Sequence, residues 1–286
     1  MGKTVITTEC VVDVPSKLLA KHNVGVIYFN IVTDKGRFQD TTEISETNIL
    51  EYMASGEKKA MSVEPSAEEY RDFFAQRLGD DNEIIHICIS QVISKAVKIS
   101  TKGKEMLGKD ASRVHIVDSK SLSSAMGLLV MKAVEYRDEG LSCSDILKRI
   151  DETIPRVSTS FITKNVDYLF YNGRASGKVM RFCKAFSLHP VLEMKNGVLK
   201  LRSVYIGNYE KACNKYVKSI LKKRKTIDKS QVFITYAGCP HERLERIKKQ
   251  VETLVNFDEV YLQTTSATVT CNCGPGTLGV LFLREG

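Results

Sequence analysis

The feature that most constrains this chain is an alternation, through its first half, of short β-branched runs with helical stretches. Ile84–Ile89 (IIHICI) is too short and too β-branched for a helix and reads as a strand buried on both faces. A helical stretch at Ser94–Leu107, a strand at Arg113–Val117 (RVHIV) and a long helix at Ser121–Glu139, closed by Gly140, follow it. Upstream, Thr4–Thr8 and Val24–Val32 are β-rich, and helix signals stand at Ser45–Ser55 and Ser66–Leu78. The last of these begins with Ser66 as N-cap and Glu69 three residues on, a capping box. Strand and helix in strict alternation predict βαβ units and a parallel sheet.

The second half has a different rhythm. Val191–Met194 and Val198–Val204 flank Lys195-Asn196-Gly197, and Asn-Gly between two apolar runs predicts an antiparallel hairpin. A Lys-rich helix at about 209–225, strand Gln231–Tyr236, helix His241–Val255, strand Val260–Gln263 and a closing strand Gly279–Leu283 complete the pattern. With 286 residues the chain is long enough for two domains, and the change of pattern divides it near Pro155–Thr159, into 1–158 and 159–286.

Charge divides at the same place. Residues 1–158 hold 21 Lys+Arg against 24 Asp+Glu, a net of −3, and residues 159–286 hold 21 against 10, a net of +11. Positive charge gathered in one half points to an acidic protein, nucleic acid or an anionic surface as partner. No apolar run approaches the roughly 18 residues of a membrane span, and Met1–Pro15 lacks the apolar core of a signal peptide, so a cytoplasmic protein without integral membrane association is expected. The eight cysteines include no CxxC pair. Cys271 and Cys273 stand alone as CxC, so reduced, mostly buried thiols are expected rather than a zinc site or a disulfide scaffold. His86 and His115 lie inside apolar strands and read as satisfied core histidines.

Gly274-Pro-Gly-Thr-Leu-Gly279 fits GxGxxG in letters only. The dinucleotide fingerprint closes a strand, opens a helix and meets an acid about 20 residues later, whereas seven residues remain here and read as a strand. No Walker A sequence and no GxSxG elbow is present. What remains is a set of small polar residues just after the strands: Glu9, Cys10, Ser90, Ser119 and, before the glycine turn, Asn272. Ligands of open α/β sheets bind outside the carboxyl ends of the strands. Ser62, Ser90 and Ser94 also precede helices, whose free N–H groups favour an anion such as a carboxylate. Each of these residues, taken alone, reads as a cap or turn residue, and it is their joint position that points to a ligand.

These segments, in order, resemble the DegV family of bacterial fatty-acid-binding proteins. Thr8-Glu-Cys-Val-Val-Asp13-Val-Pro15 resembles the family's TDSxxDLP, Ser62-Val-Glu-Pro65-Ser66 its TSQPS, and Ser90-Gln-Val-Ile-Ser94 its SSGLSGT. Val117-Asp118-Ser119-Lys120 with Gly127-Leu-Leu-Val130 resembles VDSxxxSxGxGLLV, and Asp167-Tyr-Leu169 with Asn172-Gly173-Arg174 resembles LxYLxxGGRI. Leu188-His-Pro190-Val-Leu192 resembles the KPIL hairpin, and Asn272-Cys-Gly274-Pro-Gly276 stands where the family has HTGPG.

The resemblance implies a two-domain α/β fold: an N-terminal domain with a parallel sheet, a C-terminal domain with an antiparallel hairpin, and a ligand tunnel between them. It implies a non-enzymatic carrier that holds one long-chain fatty acid, its carboxylate fixed by serine hydroxyls, and presents it to a fatty acid kinase. Carried over by position, Ser62 and Ser90 hold the carboxylate, with Ser94 on the same loop and Asn272 in place of the usual His. Arg174 and Arg202 fall in the basic patch facing the kinase, and no cofactor or metal is implied. The chain departs from the family at Glu9-Cys10, Glu64, Gln91-Val92 and Lys95-Ala96.

Two other readings compete. One is a small-molecule hydrolase or transferase with Ser90, or Ser119 beside Lys120, as nucleophile; the other is nucleic-acid binding through the Lys-rich stretch 211–229, where Tyr205, Tyr209 and Tyr216 are the aromatics on offer.

Overall fold

The computed structural model describes residues 3–55, 60–164, 168, 187–222 and 224–286. In the first half the strands are β1 (Thr4–Glu9), β2 (Gly25–Ile27), β3 (Asn30–Thr33), β4 (Gly36–Gln39), β5 (Met61–Val63), β6 (Glu83–Cys88) and β7 (Val114–Asp118). Among them run α1 (Ser16–Lys21), α2 (Glu46–Ala54), α3 (Ala67–Leu78), α4 (Ala96–Glu105), α5 (Ser123–Asp138) and α6 (Cys143–Thr153). Strands β2-β1-β6-β7 form a wholly parallel sheet in that order. The expected βαβ organisation is therefore present, and the Ser66–Glu69 capping box closes at the head of α3.

The second half carries β8 (157–158), β9 (Ser160–Ile162), β10 (Leu188–Lys195), β11 (Val198–Ile206), β12 (Ile227–Tyr236), β13 (Glu259–Thr264) and β14 (Leu278–Arg284). Its helices are α7 (Tyr209–Ile220), α8 (His241–Leu254) and α9 (Ala267–Cys273). The sheet order is β11-β10-β9-β14-β12-β13, with β8 also on β14; only the β12–β13 pair is parallel. The β10–β11 hairpin turns at Asn196-Gly197, both with positive φ (53° and 78°), the turn that Asn-Gly favours.

Two sequence expectations are corrected. Val24–Val32 is not one strand: β2 joins the parallel sheet and β3 joins a separate antiparallel sheet, β4-β3-β5. The chain breaks at Tyr28-Phe29, where the Phe29 amide donates to Cys10 Sγ at 3.2 Å and its carbonyl accepts from the Asp40 amide at 2.9 Å. Second, the Lys-rich helix ends at Ile220 rather than near 225, and the residues before the glycine turn, unassigned in the sequence, form α9. The amphipathic α6, capped by Ser142 accepting from the Asp145 amide, adds an element that the alternation alone leaves out.

The two sheets share one core. Residues 123–130 of α5 are all buried, and the cluster around them joins Ile6, Ile85 and Ile87 of the parallel sheet to Phe233, Leu281 and Leu283 of the mixed sheet. Such a helix cannot display a polar face, and Ser121–Glu139 accordingly shows little amphipathicity over its first turns. Among the described residues, no helix is long and apolar enough to cross a membrane.

Close approach is essential at Gly127. A Cβ there would stand 2.3 Å from Val14 Cγ2 and 3.0 Å from the Val12 carbonyl oxygen. We expect Gly127→Ala to lower the unfolding free energy by about 1–3 kcal/mol through overpacking, read from the urea midpoint at unchanged slope.

Candidate functional site

An apolar cavity of roughly 100 Å³ lies between the two sheets. One water needs only about 10–15 Å³ by the same measure, so this space exceeds a packing defect. Ile89 and Ile93, beyond the carboxyl end of β6, and Leu122, at the head of α5, line it from the N-terminal half. Phe161 (β9), Leu199 (β11) and Leu281 (β14) line it from the other. The parallel strands thus present their carboxyl ends to the cavity, where an open α/β sheet binds ligands.

Helix α9 supplies the polar wall. Ser266 is its N-cap, accepting from the Val269 amide at 3.3 Å. Two buried carboxylates from the N-terminal half hold the same end. Asp13 Oδ1 accepts from the Ser266 amide at 2.7 Å; Asp40 accepts from the amides of Ala267 (2.9 Å) and Thr268 (2.8 Å). Negative charge at a helix N-terminus is stabilised by the unpaired N–H groups and the dipole. Asp13 also accepts from the Ser123 hydroxyl through Oδ2, and its carbonyl accepts from Ser124 Oγ at 2.5 Å. A single residue in the left-handed region (φ 42°) therefore ties the starts of α5 and α9 together.

Thr268 and Asn272 are four residues apart, on one face of α9, and both line the cavity. Asn272 Nδ2 donates to Ser62 Oγ at 3.2 Å and to the Thr268 carbonyl at 2.8 Å. Ser62 therefore accepts from Asn272 and keeps its own hydrogen for another acceptor. Ser62 stands behind Asn272, and the hydroxyls that line the cavity itself are, Thr268 apart, committed. Thr235 pairs with Ser124 (2.7 Å), Thr265 with Thr270 (2.7 Å), and Thr277 with the Cys273 carbonyl (2.9 Å); Ser123 donates to Asp13. Thr268 Oγ1 is different: it is buried and has no hydrogen-bond partner among the described residues. An unpaired buried hydroxyl costs about 1–3 kcal/mol, so one standing in a cavity wall marks a place for an acceptor.

The remaining residues singled out in the sequence separate. Ser90 is fully buried and donates to the Gly197 carbonyl of the hairpin turn at 2.9 Å. Ser94 donates to Glu64 Oε1 at 2.8 Å, which also accepts from the Lys95 amide at 3.0 Å. Burial raises the Glu64 pKa, but these hydrogen bonds outweigh it and hold the carboxyl below its ordinary range. Ser62 and Asn272 are thus brought together, while Ser90 and Ser94 bond elsewhere. Arg202 pairs with Glu193 across the hairpin at 2.6 Å, and Arg174 lies outside the described residues.

Glu9 and Cys10 face the interior rather than the cavity, Glu9 accepting from the Tyr70 hydroxyl and the Ile89 amide, each at 2.9 Å. Ser119 donates to the Ser121 carbonyl two residues on, and no base contacts Ser90 or Ser119 among the described hydrogen bonds. Tyr209 and Tyr216 of the Lys-rich helix are buried, which removes two of the three aromatics a stacking surface would need. Thr268 and Asp40 were not apparent from sequence; the four-residue spacing of Thr268 and Asn272 was the available signal, hidden because the segment did not read as a helix.

A family model described as "Uncharacterised protein, DegV family" matches residues 3–285. The chain belongs to the DegV family. A DegV domain-containing protein of Caldanaerobacter subterraneus is 23% identical over 99% of both chains. Among solved structures, one described as fatty acid binding of a DegV family protein from Thermus thermophilus superposes with a TM-score of 0.86, at 21% identity over 99% of both chains. A stearic acid-binding protein from Eubacterium ventriosum superposes with a TM-score of 0.85, at 20% identity over 100% of this chain and 99% of its own. The DegV architecture, a parallel-sheet half followed by a mixed-sheet half, is therefore that of this chain.

Burial pushes the Asp13 carboxyl up to about 7, against the pull of hydrogen bonds from Ser123 and Ser266. Its pKa in the unfolded chain is about 3.9, so the folded state binds the proton more tightly. This group's contribution to stability therefore grows as pH falls from about 7 toward about 4, and is lost as pH rises through 7. We expect the stability difference between the wild type and Asp13→Asn to change across that window and level off outside it, measured by urea unfolding from pH 4 to 8.

Proposed function

We propose that this protein binds one long-chain fatty acid in the cavity between its two α/β halves, 1–158 and 159–286, and presents the carboxylate to a fatty acid kinase. The observation that carries the reading is the unpaired Thr268 hydroxyl in the cavity wall, one turn from Asn272 and its partner Ser62. A carboxylate accepts from both hydroxyls, while the two N–H donors of the Asn272 side chain stay with Ser62 and Thr268, and hydrogen bonds to a charged acceptor are worth about 1.5–3 kcal/mol each. The apolar walls supply affinity, at about 0.8 kcal/mol per buried CH₂, and the hydroxyls supply orientation. Fatty acid binding by the Thermus and Eubacterium proteins supports the same assignment.

In this reading Ser90 and Ser94 bound the mouth of the site, each reaching the ligand only by giving up its present acceptor. Asn272 takes the place of a histidine and donates a hydrogen bond without carrying charge. The kinase, a protein that must approach an acyl carboxylate, meets the half of net charge +11, where Arg174 and Arg202 stand. The carrier role needs no cofactor and no chemistry of its own.

Mass spectrometry of the untreated protein, native and after solvent extraction, tests the binding. A stoichiometric increment that extracts as a C14–C18 acid is expected. An empty protein with no affinity for any fatty acid would refute the reading. Thr268→Val and Ser62→Ala should each weaken fatty acid binding about tenfold or more, the loss of one charge-assisted hydrogen bond, with the fold unchanged by circular dichroism. Unchanged affinity in both variants would place the carboxylate elsewhere.

A further inference from the structure

Beneath the carboxyl ends of β1 and β6, remote in chemistry from the cavity, Glu9, His86 and Cys88 are all fully buried. One ligating atom from each falls within 4.8 Å of the others. The hydrogen bonds account for only one nitrogen of the imidazole. Thr7 Oγ1 donates to the Ile85 carbonyl at 3.4 Å and lies 2.9 Å from His86 Nδ1. Thr7 thus satisfies Nδ1 in either tautomer, and Nε2 is left as a bare lone pair or as an N–H. The core histidine is thus satisfied at one nitrogen only: Nε2 has no hydrogen-bond partner among the described residues and stands 3.9 Å from Glu9 Oε1.

A nitrogen lone pair set toward a carboxylate oxygen in a dry interior is repulsive unless positive charge stands between them. A proton on Nε2 would not make a hydrogen bond across 3.9 Å. We propose that Glu9, His86 and Cys88 form a binding site for a borderline divalent transition-metal ion of the zinc class. Imidazole nitrogen, thiolate sulfur and carboxylate oxygen are the donors such an ion takes. On binding, the Cys88 Sγ–H bond breaks, its proton leaves to solvent and an Sγ–metal bond forms, with no change of oxidation state. One thiolate and one carboxylate then offset the two charges of the ion, which leaves the buried cluster neutral.

The surroundings are those of a supported site. Thr7 orients His86, the Tyr70 hydroxyl and Ile89 amide hold Glu9, and Ser100 Oγ lies 3.5 Å from Cys88 Sγ. A second cluster, Glu83, His115 and Cys143, lacks the unpaired donor, since His115 Nε2 already meets Glu83 at 3.2 Å. An ion at Glu9 would tie β1 to β6 directly below Ser90.

The test uses the full chain, purified without chelator or metal-affinity tag from cells grown in zinc-supplemented medium and, separately, in cobalt-supplemented medium. About one ion per chain by elemental mass spectrometry, and a near-ultraviolet cobalt–thiolate charge-transfer band, are expected. Cys88→Ser should remove the band and lower the metal content at least tenfold, while Cys143→Ser leaves both intact. If Cys88→Ser does not fold, His86→Gln takes its place, with circular dichroism showing that the fold is kept. Folded wild-type protein with neither metal nor band, or a band that survives both Cys88→Ser and His86→Gln, would overturn the proposal.

Discussion

The arrangement of the site depends on two buried carboxylates that cross from one half of the chain to the other. Asp13 and Asp40 accept the first amides of a seven-residue helix that could not stand alone in water. Without those acceptors, three N–H groups would be left unpaired in the interior, and the Thr268–Asn272 face would have nothing to fix its angle. The position of the polar wall is thus set by residues more than 200 positions away in sequence. Asp13 extends the same control to the head of α5, so the central helix and the short helix are registered against one residue.

Around that joint the cavity follows from packing. The first two turns of α5, residues 123–130, are buried on every side between two sheets of different kinds, so their apolar residues serve both sheets at once. The parallel sheet ends where the mixed sheet begins to close over it, and Ile89, Leu122 and Phe161 meet there without filling the space. Among the described residues, the hydroxyls that line this space are paired, save that of Thr268. The contrast between the committed hydroxyls and Thr268 distinguishes a binding wall from a merely polar one.

Much of the architecture could be read from the sequence because its signals are local. IIHICI, RVHIV, the Ser66–Glu69 capping box and the Asn196-Gly197 turn each specify their element within a few residues. The elements that escaped are those that local signals do not specify. Strands β3, β4 and β5 are three or four residues long, and Val24–Val32 reads as one run because Tyr28 and Phe29 are as β-prone as their neighbours. Helix α9 is short and rich in Thr and Val, and only its distant caps hold it. The family motifs single out Ser62 and Asn272, which the fold brings within hydrogen-bond distance, but whether a hydroxyl is spent or free is decided by tertiary hydrogen bonds. That is why Ser90, Ser94 and Thr268, alike in sequence, differ in the folded chain.

The bond from Ser90 to Gly197 links the two halves of the chain. It pins the tip of the β10–β11 hairpin to the end of the parallel sheet. A hydroxyl has one hydrogen to give, so any acceptor that claims it from within releases the hairpin's tether. The outer strand of that hairpin carries Arg202 and the exposed Leu201 and Ile206. One hydrogen bond thus joins the buried end of the parallel sheet to the turn of a strand whose apolar side chains stand in solvent.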